Sequence, residues 1–347
     1  MRILVTGASG FIGSFIVSEA LDRGHEVWAG IRATSNLQYI MDKRINFLDL
    51  NLSSPEELRL QLSSVKEQMG GCWDYVIHAA GATKARRSRD FYRTNFEGTR
   101  NLVNALIQED MVPRRFVFLS SLSIFGAIRE QDYSPIRDTD TPQPNTHYGK
   151  SKWQAEQWLQ EQKEVPWVIL RPTGVYGPRE RDYYLMAKSI KQHVDFAVGY
   201  RPQEITFVYV RDVVQAVFLA CERPEEDVVH RAFFLSDGKS YSSRAFSDLL
   251  QREMGVRHVL HVKAPKWFLR AICAVNGTFC KLAGTLTTLN MDKYHILSQR
   301  NWNCDIEPAR RLLGFDPQWG LEAGVKETVA WYKEKGWLLR PALGVVA

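Results

Sequence analysis

The 347-residue chain is predicted to fold as an α/β protein, a doubly wound parallel sheet with helices on both faces and a smaller mixed α/β lobe C-terminal to it. Two observations carry this. Short apolar runs alternate with helical stretches through the first half of the chain, the pattern of a parallel sheet whose strands are buried on both faces. The runs also end in polar or glycine-rich turns, at Gly7, Asp49, Ala80-Gly81 and Ser120-Ser121. In such a sheet these turns line up along one edge and form a single cleft.

Taken in order, Arg2–Val5 reads as the first strand, and the turn TGASGFIG (Thr6 to Gly13) follows it directly. Gly7 lets the chain leave the strand tightly, Gly10 lets backbone approach a ligand with no Cβ in the way, and Gly13 lets the next helix pack against the sheet. That helix is expected over Phe11–Arg23. Further strands are expected at Val27–Gly30, Asn46–Leu48, Tyr75–Ala79, Phe116–Leu119 and Trp167–Leu170. The helices between them are expected near Pro55–Val65, Phe91–Glu109 and His147–Gln162. After Arg171-Pro172 the pattern changes to a loop with Gly174, Gly177, Pro178 and Arg179 to Asp182. Phe207–Val210, with a helix led by Asp212, is expected to return to the main sheet. The first domain is thus placed at 1–170 plus about 203–235, and the lobe at about 171–202 and 236–347.

The residues at the cleft edge suggest redox chemistry on a bound dinucleotide. A helix starting near Phe11 directs its N-terminal amides and positive dipole end at phosphates. Tyr148 and Lys152 are four apart on one helical face. A phenol with a pKa near ~10 is a poor base at neutral pH, and bringing it down about three units takes roughly 4 kcal/mol. Lys152, with the positive nicotinamide of an oxidised cofactor, is a source of that stabilisation. Ser121 would polarise the substrate oxygen while Tyr148 gives or takes its proton. No carboxylate stands at the end of the second strand to bind a ribose 2′-hydroxyl. Ile31 holds that position and Arg32 follows, placed to meet a 2′-phosphate, with Ser35 and Asn36 nearby. NADP is therefore the preferred cofactor and NAD the alternative, with Arg32 then a solvated loop residue.

The net charge of +6 is mild and spread out, which does not suggest a nucleic-acid partner. Lys84, Arg86, Arg87, Arg89 and Arg93 form a local basic run, read first as a solvated helix start and second as a contact for an anionic head group. The five cysteines, Cys72, Cys221, Cys273, Cys280 and Cys304, have neither Cys-x-x-Cys nor zinc-site spacing. They read as small buried hydrophobes in a reducing compartment, and no metal site is expected. No signal peptide or transmembrane run is expected, so the location is taken as cytoplasmic. The segment Ala264–Leu289 carries Trp267, Phe268, Leu269, Ile272, Val275, Phe279, Leu282 and Leu286 against only Lys266, Arg270 and Lys281. Its first reading is a buried helix of the lobe. Its second is a flap over an apolar substrate, or an interfacial helix giving peripheral membrane contact.

The Thr-Gly-x-x-Gly-x-x-Gly turn, Ser121, and Tyr148 with Lys152, in this order, resemble the extended short-chain dehydrogenase/reductase (epimerase/dehydratase) family, whose sheet is of the Rossmann type. The resemblance extends over nearly the whole chain. It includes His78-Ala79-Ala80-Gly81, Ser120-Ser121-x-x-Ile124-Phe125-Gly126, Arg171 to Pro178, Phe207-Val208-Tyr209-Val210-x-Asp212, and the ending from Leu313 to Tyr332. The nearest flavour is that of dihydroflavonol reductases and 3β-hydroxysteroid dehydrogenases. The resemblance implies cofactor contacts from Gly7, Gly10, Phe11, Ile12, Gly13, Arg32, Asp49, Leu50, Ala79, Ala80, Gly81, Tyr148, Lys152, Pro172 and Val175. It implies substrate-side positions at Thr83, Lys84, Ser123, Phe125, Tyr176 and Tyr209, and catalysis by Ser121, Tyr148 and Lys152. Asn95 resembles the family's helix asparagine, with a structural role weighed equally against proton relay. The family's habit also implies a homodimer through the helices at Phe91–Glu109 and His147–Gln162, where Leu102, Val103, Leu106, Trp153 and Trp158 could serve, though some of them must pack on the sheet instead.

Two departures bear on substrate. Leu122-Ser123 stand where nucleotide-sugar dehydratases carry Asp-Glu, and Ile205 stands where epimerases commonly carry a diphosphate-clamping arginine; Arg179 or Arg201 could compensate. The preferred expectation is an NADP-dependent ketone reductase or alcohol dehydrogenase on an apolar substrate such as a sterol, flavonoid-like ring or long-chain 3-keto lipid. The alternatives are a nucleotide-sugar epimerase with bound NAD and a non-catalytic NADP-binding sensor.

Overall fold

The computed structural model describes residues 1–283 and 290–338, with backbone alone over 275–283. Six strands appear in the expected order: β1 (Arg2–Thr6), β2 (Glu26–Ile31), β3 (Asn46–Asp49), β4 (Tyr75–His78), β5 (Arg115–Leu119) and β6 (Trp167–Pro172). With Arg231–Leu235 they form one seven-stranded parallel sheet, ordered Arg231–Leu235, β6, β5, β4, β1, β2, β3. The order reverses at β1 and β4, which opens a crevice at their carboxyl ends.

Alternation along β1 shows why the central strands are apolar on both faces. Ile3 and Val5 face one core with Ile16, Val17 and Ala20 of the helix Phe11–Asp22 and with Val213 and Val217 of the helix Val210–Glu222. Leu4 faces the other, with Leu58 and Leu62 of the helix Pro55–Met69, Leu102 and Leu106 of the helix Gly98–Gln108, and Ala155 and Leu159 of the helix His147–Glu161. Each fully buried aliphatic side chain contributes roughly 1.5–3 kcal/mol.

Four expectations are corrected. First, Phe207–Tyr209 does not enter the main sheet. It pairs in parallel with Gly174–Tyr176, and Arg231–Leu235 takes the place beside β6. Second, the helix expected over Phe91–Glu109 is three pieces, Ser88–Tyr92, a π-helical turn Arg93–Glu97, and Gly98–Gln108. Third, Leu102, Val103 and Leu106 are buried in the chain's own core and cannot serve a dimer face, which leaves the half-buried Trp153 and Trp158. Fourth, the helix Lys266–Ala283 is not buried all round. Leu269 and Cys273 point inward, whereas Trp267, Phe268 and Ile272 are exposed. The side chains of Val275, Phe279, Cys280, Lys281 and Leu282, and residue Leu286, lie outside those described.

The lobe is built from short ladders. Tyr241–Ser242, Glu204–Ile205 and Asn301–Trp302 form a three-stranded sheet, and Val194–Val198 pairs in parallel with Leu260–Ala264. Its core gathers aromatic rings, with Tyr176 packed against Tyr183, Phe207, Tyr209 and Phe246.

Candidate active site

The glycine turn forms a cradle that side chains would fill. Gly7 has φ +67°, and a Cβ there would lie 2.7 Å from the Ala80 backbone; a Cβ on Gly13 would lie 2.1 Å from the Gly7 carbonyl oxygen. The helix Phe11–Asp22 starts at Gly10 with no side-chain cap and no acidic residue in its first turn, so its amides and dipole end are left for an anion. A cleft of about 560 Å³ opens there, lined by Gly7, Gly10, Arg32, Leu50, Gly81 and Thr94 among others. Uncapped amides and a backbone cradle at the end of β1 fit a dinucleotide pyrophosphate.

Below the cleft, His78 joins β1 to β4. Thr99 Oγ1 donates to the Asn95 carbonyl (2.7 Å) and so accepts from His78 Nε2 (2.9 Å); Thr6 Oγ1 then donates to His78 Nδ1 (2.7 Å). Burial, with the nearby Lys152 ammonium, pushes the His78 pKa down to about 3, so it stays neutral.

The residues expected to react, Ser121, Tyr148 and Lys152, meet where the helix His147–Glu161 crosses the end of β5. Gly149 makes the crossing close, since a Cβ there would lie 2.5 Å from the Ser123 carbonyl oxygen. Thr146 caps the helix by accepting from the Gly149 amide (2.9 Å). Asp292, from the lobe, accepts from the His147 (2.9 Å) and Tyr148 (3.4 Å) amides. Ser121 Oγ accepts from the Ser123 amide and donates to the Ser123 hydroxyl, both at 3.1 Å. Burial raises the Tyr148 pKa and a hydrogen bond with Ser121 opposes the rise, so the chain by itself keeps the phenol protonated, in its proton-donating form. Lys152 is buried, donates to the Leu119 carbonyl (2.8 Å) and lies over the Phe118 ring. Burial lowers its pKa to about 8, and the Glu156 carboxylate opposes the fall. Gly81 lines the cleft directly in front of it: a Cβ there would lie 3.1 Å from Lys152 Nζ and 3.2 Å from Asn95 Oδ1.

Asn95 is fully buried in the π-helical turn. It accepts from the Ala82 amide (2.7 Å) and donates to the Ala82 carbonyl (3.0 Å) and to Ser151 Oγ (2.9 Å). These bonds tie the loop after β4 to the helix His147–Glu161.

A second cavity, of about 380 Å³, adjoins Ser121 and Ser123 under the lobe. Tyr183, Met186, Ile205, Phe207, Phe246 and Trp302 supply much of its apolar wall. Two cations are among its described lining residues: Arg244, held by Asp248 (2.9 Å) and His261 (3.0 Å), and Lys293, paired with Asp182 (3.6 Å).

The expected site residues are distributed as follows. Gly7, Gly10, Arg32, Leu50, Ala79, Ala80 and Gly81 line the cofactor cleft, as do Thr83 and Lys84, which were expected on the substrate side. Lys84 is ion-paired with Asp182 at the rim. Pro172 and Val175, expected at the cofactor, line the second cavity beside Ser121 and Ser123. Phe11 and Ile12 pack their side chains towards the lobe core, and Gly13 lies under Gly7. Asp49 is exposed and outside the cleft lining.

Phe125, Tyr176 and Tyr209 are corrected from substrate-side to core positions. Phe125 packs on Phe234 (5.2 Å) under Arg171, Tyr176 is enclosed by the lobe's rings, and Tyr209 donates to Glu327 Oε2 (2.7 Å). Arg179 is also spoken for, stacked on Phe15 and Tyr39 and donating to Ser14 Oγ (2.9 Å). Asp292, Arg244 and Lys293 escaped the sequence reading because they stand in no motif.

The model of the NAD dependent epimerase/dehydratase family matches residues 3–235. The chain belongs to this family. Its relatives there are distant and chemically mixed. Over 350 residues it is 25% identical to the 3 beta-hydroxysteroid dehydrogenase/Delta 5-->4-isomerase of Mycobacterium tuberculosis, covering 95% of this chain and 90% of that one. Over 340 residues it is 25% identical to the UDP-glucose 4-epimerase of Vibrio cholerae, covering 94% of each. Its fold is shared with the UDP-glucose 4-epimerase of Thermotoga maritima solved with UDP-glucose (TM-score 0.73, 22% identity, 96% of this chain and 99% of that one). Epimerase/dehydratase family membership and the site together make it an NAD(P)-dependent enzyme of the oxidoreductase type.

Proposed function

We propose that the protein is an NADP-dependent ketone reductase or alcohol dehydrogenase for an apolar substrate. The observation that carries the reading is the cavity beside Ser121, whose wall is mostly apolar with Ile205 in it, and whose two described cations are already engaged, Arg244 by Asp248 and His261 and Lys293 by Asp182. Such a cavity holds a ligand mainly by apolar burial, at roughly 25 cal/mol per Å². A diphosphate would need cationic groups free to pair with it. The bound nicotinamide cofactor supplies or accepts the hydride. Ser121 orients the carbonyl or hydroxyl oxygen, Tyr148 gives or takes the proton at that oxygen, and Lys152 sets the charge behind Tyr148 and Gly81.

A second reading, a nucleotide-sugar epimerase with retained NAD, is favoured by the UDP-glucose 4-epimerases among the relatives. The two differ in cofactor. Arg32 lines the cleft with Ser35, which accepts from the Arg32 amide (3.0 Å), and its guanidinium makes no ion pair among the described residues. That leaves it for a 2′-phosphate. Arg32→Ala is expected to weaken NADP by about 1.5–3 kcal/mol, the worth of a charged hydrogen bond, and to change NAD little. Titration of both cofactors by fluorescence checks this. Equal losses, or tighter binding of NAD by the unaltered protein, would overturn the NADP assignment.

A further inference from the structure

The helix Lys266–Ala283 and the paired strands before it carry large apolar side chains that the described residues leave exposed. Trp267 is 72% exposed and Phe268 47%, their rings 5.8 Å apart, and Ile272 is exposed one turn beyond Phe268. The ribbon adds Phe196 and Leu260. Leu260 pairs with Val194 and Val262 with Phe196, so alternation puts Leu260 and Phe196 on one face. The Gly199 amide donates to the Ala264 carbonyl (2.9 Å), which brings the exposed Tyr200 to the start of the helix. Large exposed apolar groups gathered this way mark a contact surface.

The charge around this surface identifies the partner. No Asp or Glu occurs between Glu253 and Asp292, whereas five Lys or Arg do. Of these, Arg257, Lys263 and Arg270 are exposed and make no ion pair among the described residues. Exposed aromatic and aliphatic side chains interspersed along the chain with unpaired cations and no carboxylate match an anionic lipid surface, where the rings enter the interface and the cations stay at the head groups. No described helix is long and apolar enough to cross a membrane. Phe196 is both part of this surface and part of the wall of the substrate cavity, so the cavity reaches the surface at the same place.

We infer that the protein docks on anionic membrane through Trp267, Phe268 and Ile272 with Arg257, Lys263 and Arg270, and that the cavity opens beside the docked face. The second half of this statement rests on the apolar-substrate reading; the first does not.

The test is co-sedimentation of the full chain with vesicles of phosphatidylcholine containing phosphatidylglycerol, compared with phosphatidylcholine alone. The protein is expected to partition onto the anionic vesicles and to leave them as salt rises. Trp267→Ser with Phe268→Ser is expected to lower partitioning at least about tenfold. Arg270→Glu should lower it roughly tenfold on anionic vesicles and leave neutral ones unchanged; as a single exposed change it provides a second variant should the double one fold poorly. No partitioning of the unaltered protein, or partitioning that neither variant changes, overturns the inference. It is equally overturned if the double variant turns a solution dimer into a monomer and vesicles are never bound, since the face then belongs to a second copy of the chain. The assay reads adsorption rather than turnover, so it stands apart from the cofactor and substrate tests.

Discussion

Tyr148→Phe is expected to lower turnover by ~10²–10⁴-fold, the usual worth of a positioned proton donor, and to leave cofactor affinity nearly unchanged. The asymmetry follows from the site. The Tyr148 hydroxyl faces Ser121, where the reacting oxygen would sit, whereas the cofactor cleft is bounded by Gly7, Gly10, Arg32 and Gly81. The ring itself packs edge-on against Phe91 at 6.4 Å, a contact that phenylalanine keeps, so the change removes the hydroxyl and little else. Steady-state kinetics alongside cofactor titration would read both quantities. Near-normal turnover in this variant would exclude the catalytic assignment.

Glu156→Gln is expected to be the most costly single change to the fold, at about 3–5 kcal/mol. Glu156 is fully buried on the catalytic helix and accepts from Arg171 Nε (3.1 Å) and Nη2 (2.5 Å) at the end of β6. Phe125 and Phe234 flank that guanidinium, so without the carboxylate it is left as an uncompensated buried charge. The loss should appear as a lower urea midpoint with an unchanged m value. Replacing both partners, Glu156→Leu with Arg171→Met, should recover most of it, because the cost lies in the orphaned charge rather than in the lost pair. A single variant within about 0.5 kcal/mol of the parent would mean that water or another group takes over the carboxylate's role.

The first half of the fold was legible because its central strands are buried on both faces. β1, β4 and β5 read as unbroken apolar runs, and the turns after them carry residues whose chemistry is readable on its own. The partner of a strand is a different matter. Phe207–Tyr209 and Arg231–Leu235 are equally apolar, and only long-range packing decides which of them lies beside β6. In the lobe, two-residue strands such as Glu204–Ile205 are too short to show a period. Motif position also misled at Tyr176 and Tyr209: aromatic residues next to a site read the same whether they face ligand or core. The helix Lys266–Ala283 misled for the opposite reason, since apolarity on most sides usually means burial and here part of it is exposed. Asp292 was out of reach because its work, holding the amides of His147 and Tyr148, depends on a lobe contact that no local pattern encodes.

The central claim is that this site moves hydride between NADP and an apolar carbonyl or alcohol. The measurement that tests it most directly is the oxidation of NADPH, followed by absorbance, across a panel of sterol, flavonoid-like and long-chain 3-keto substrates, with UDP-glucose interconversion assayed on the same preparation. Turnover is expected with at least one apolar ketone, faster with NADPH than with NADH, and without epimerisation. UDP-sugar epimerisation by protein that keeps its NAD through dialysis, with no ketone reduced, would contradict it.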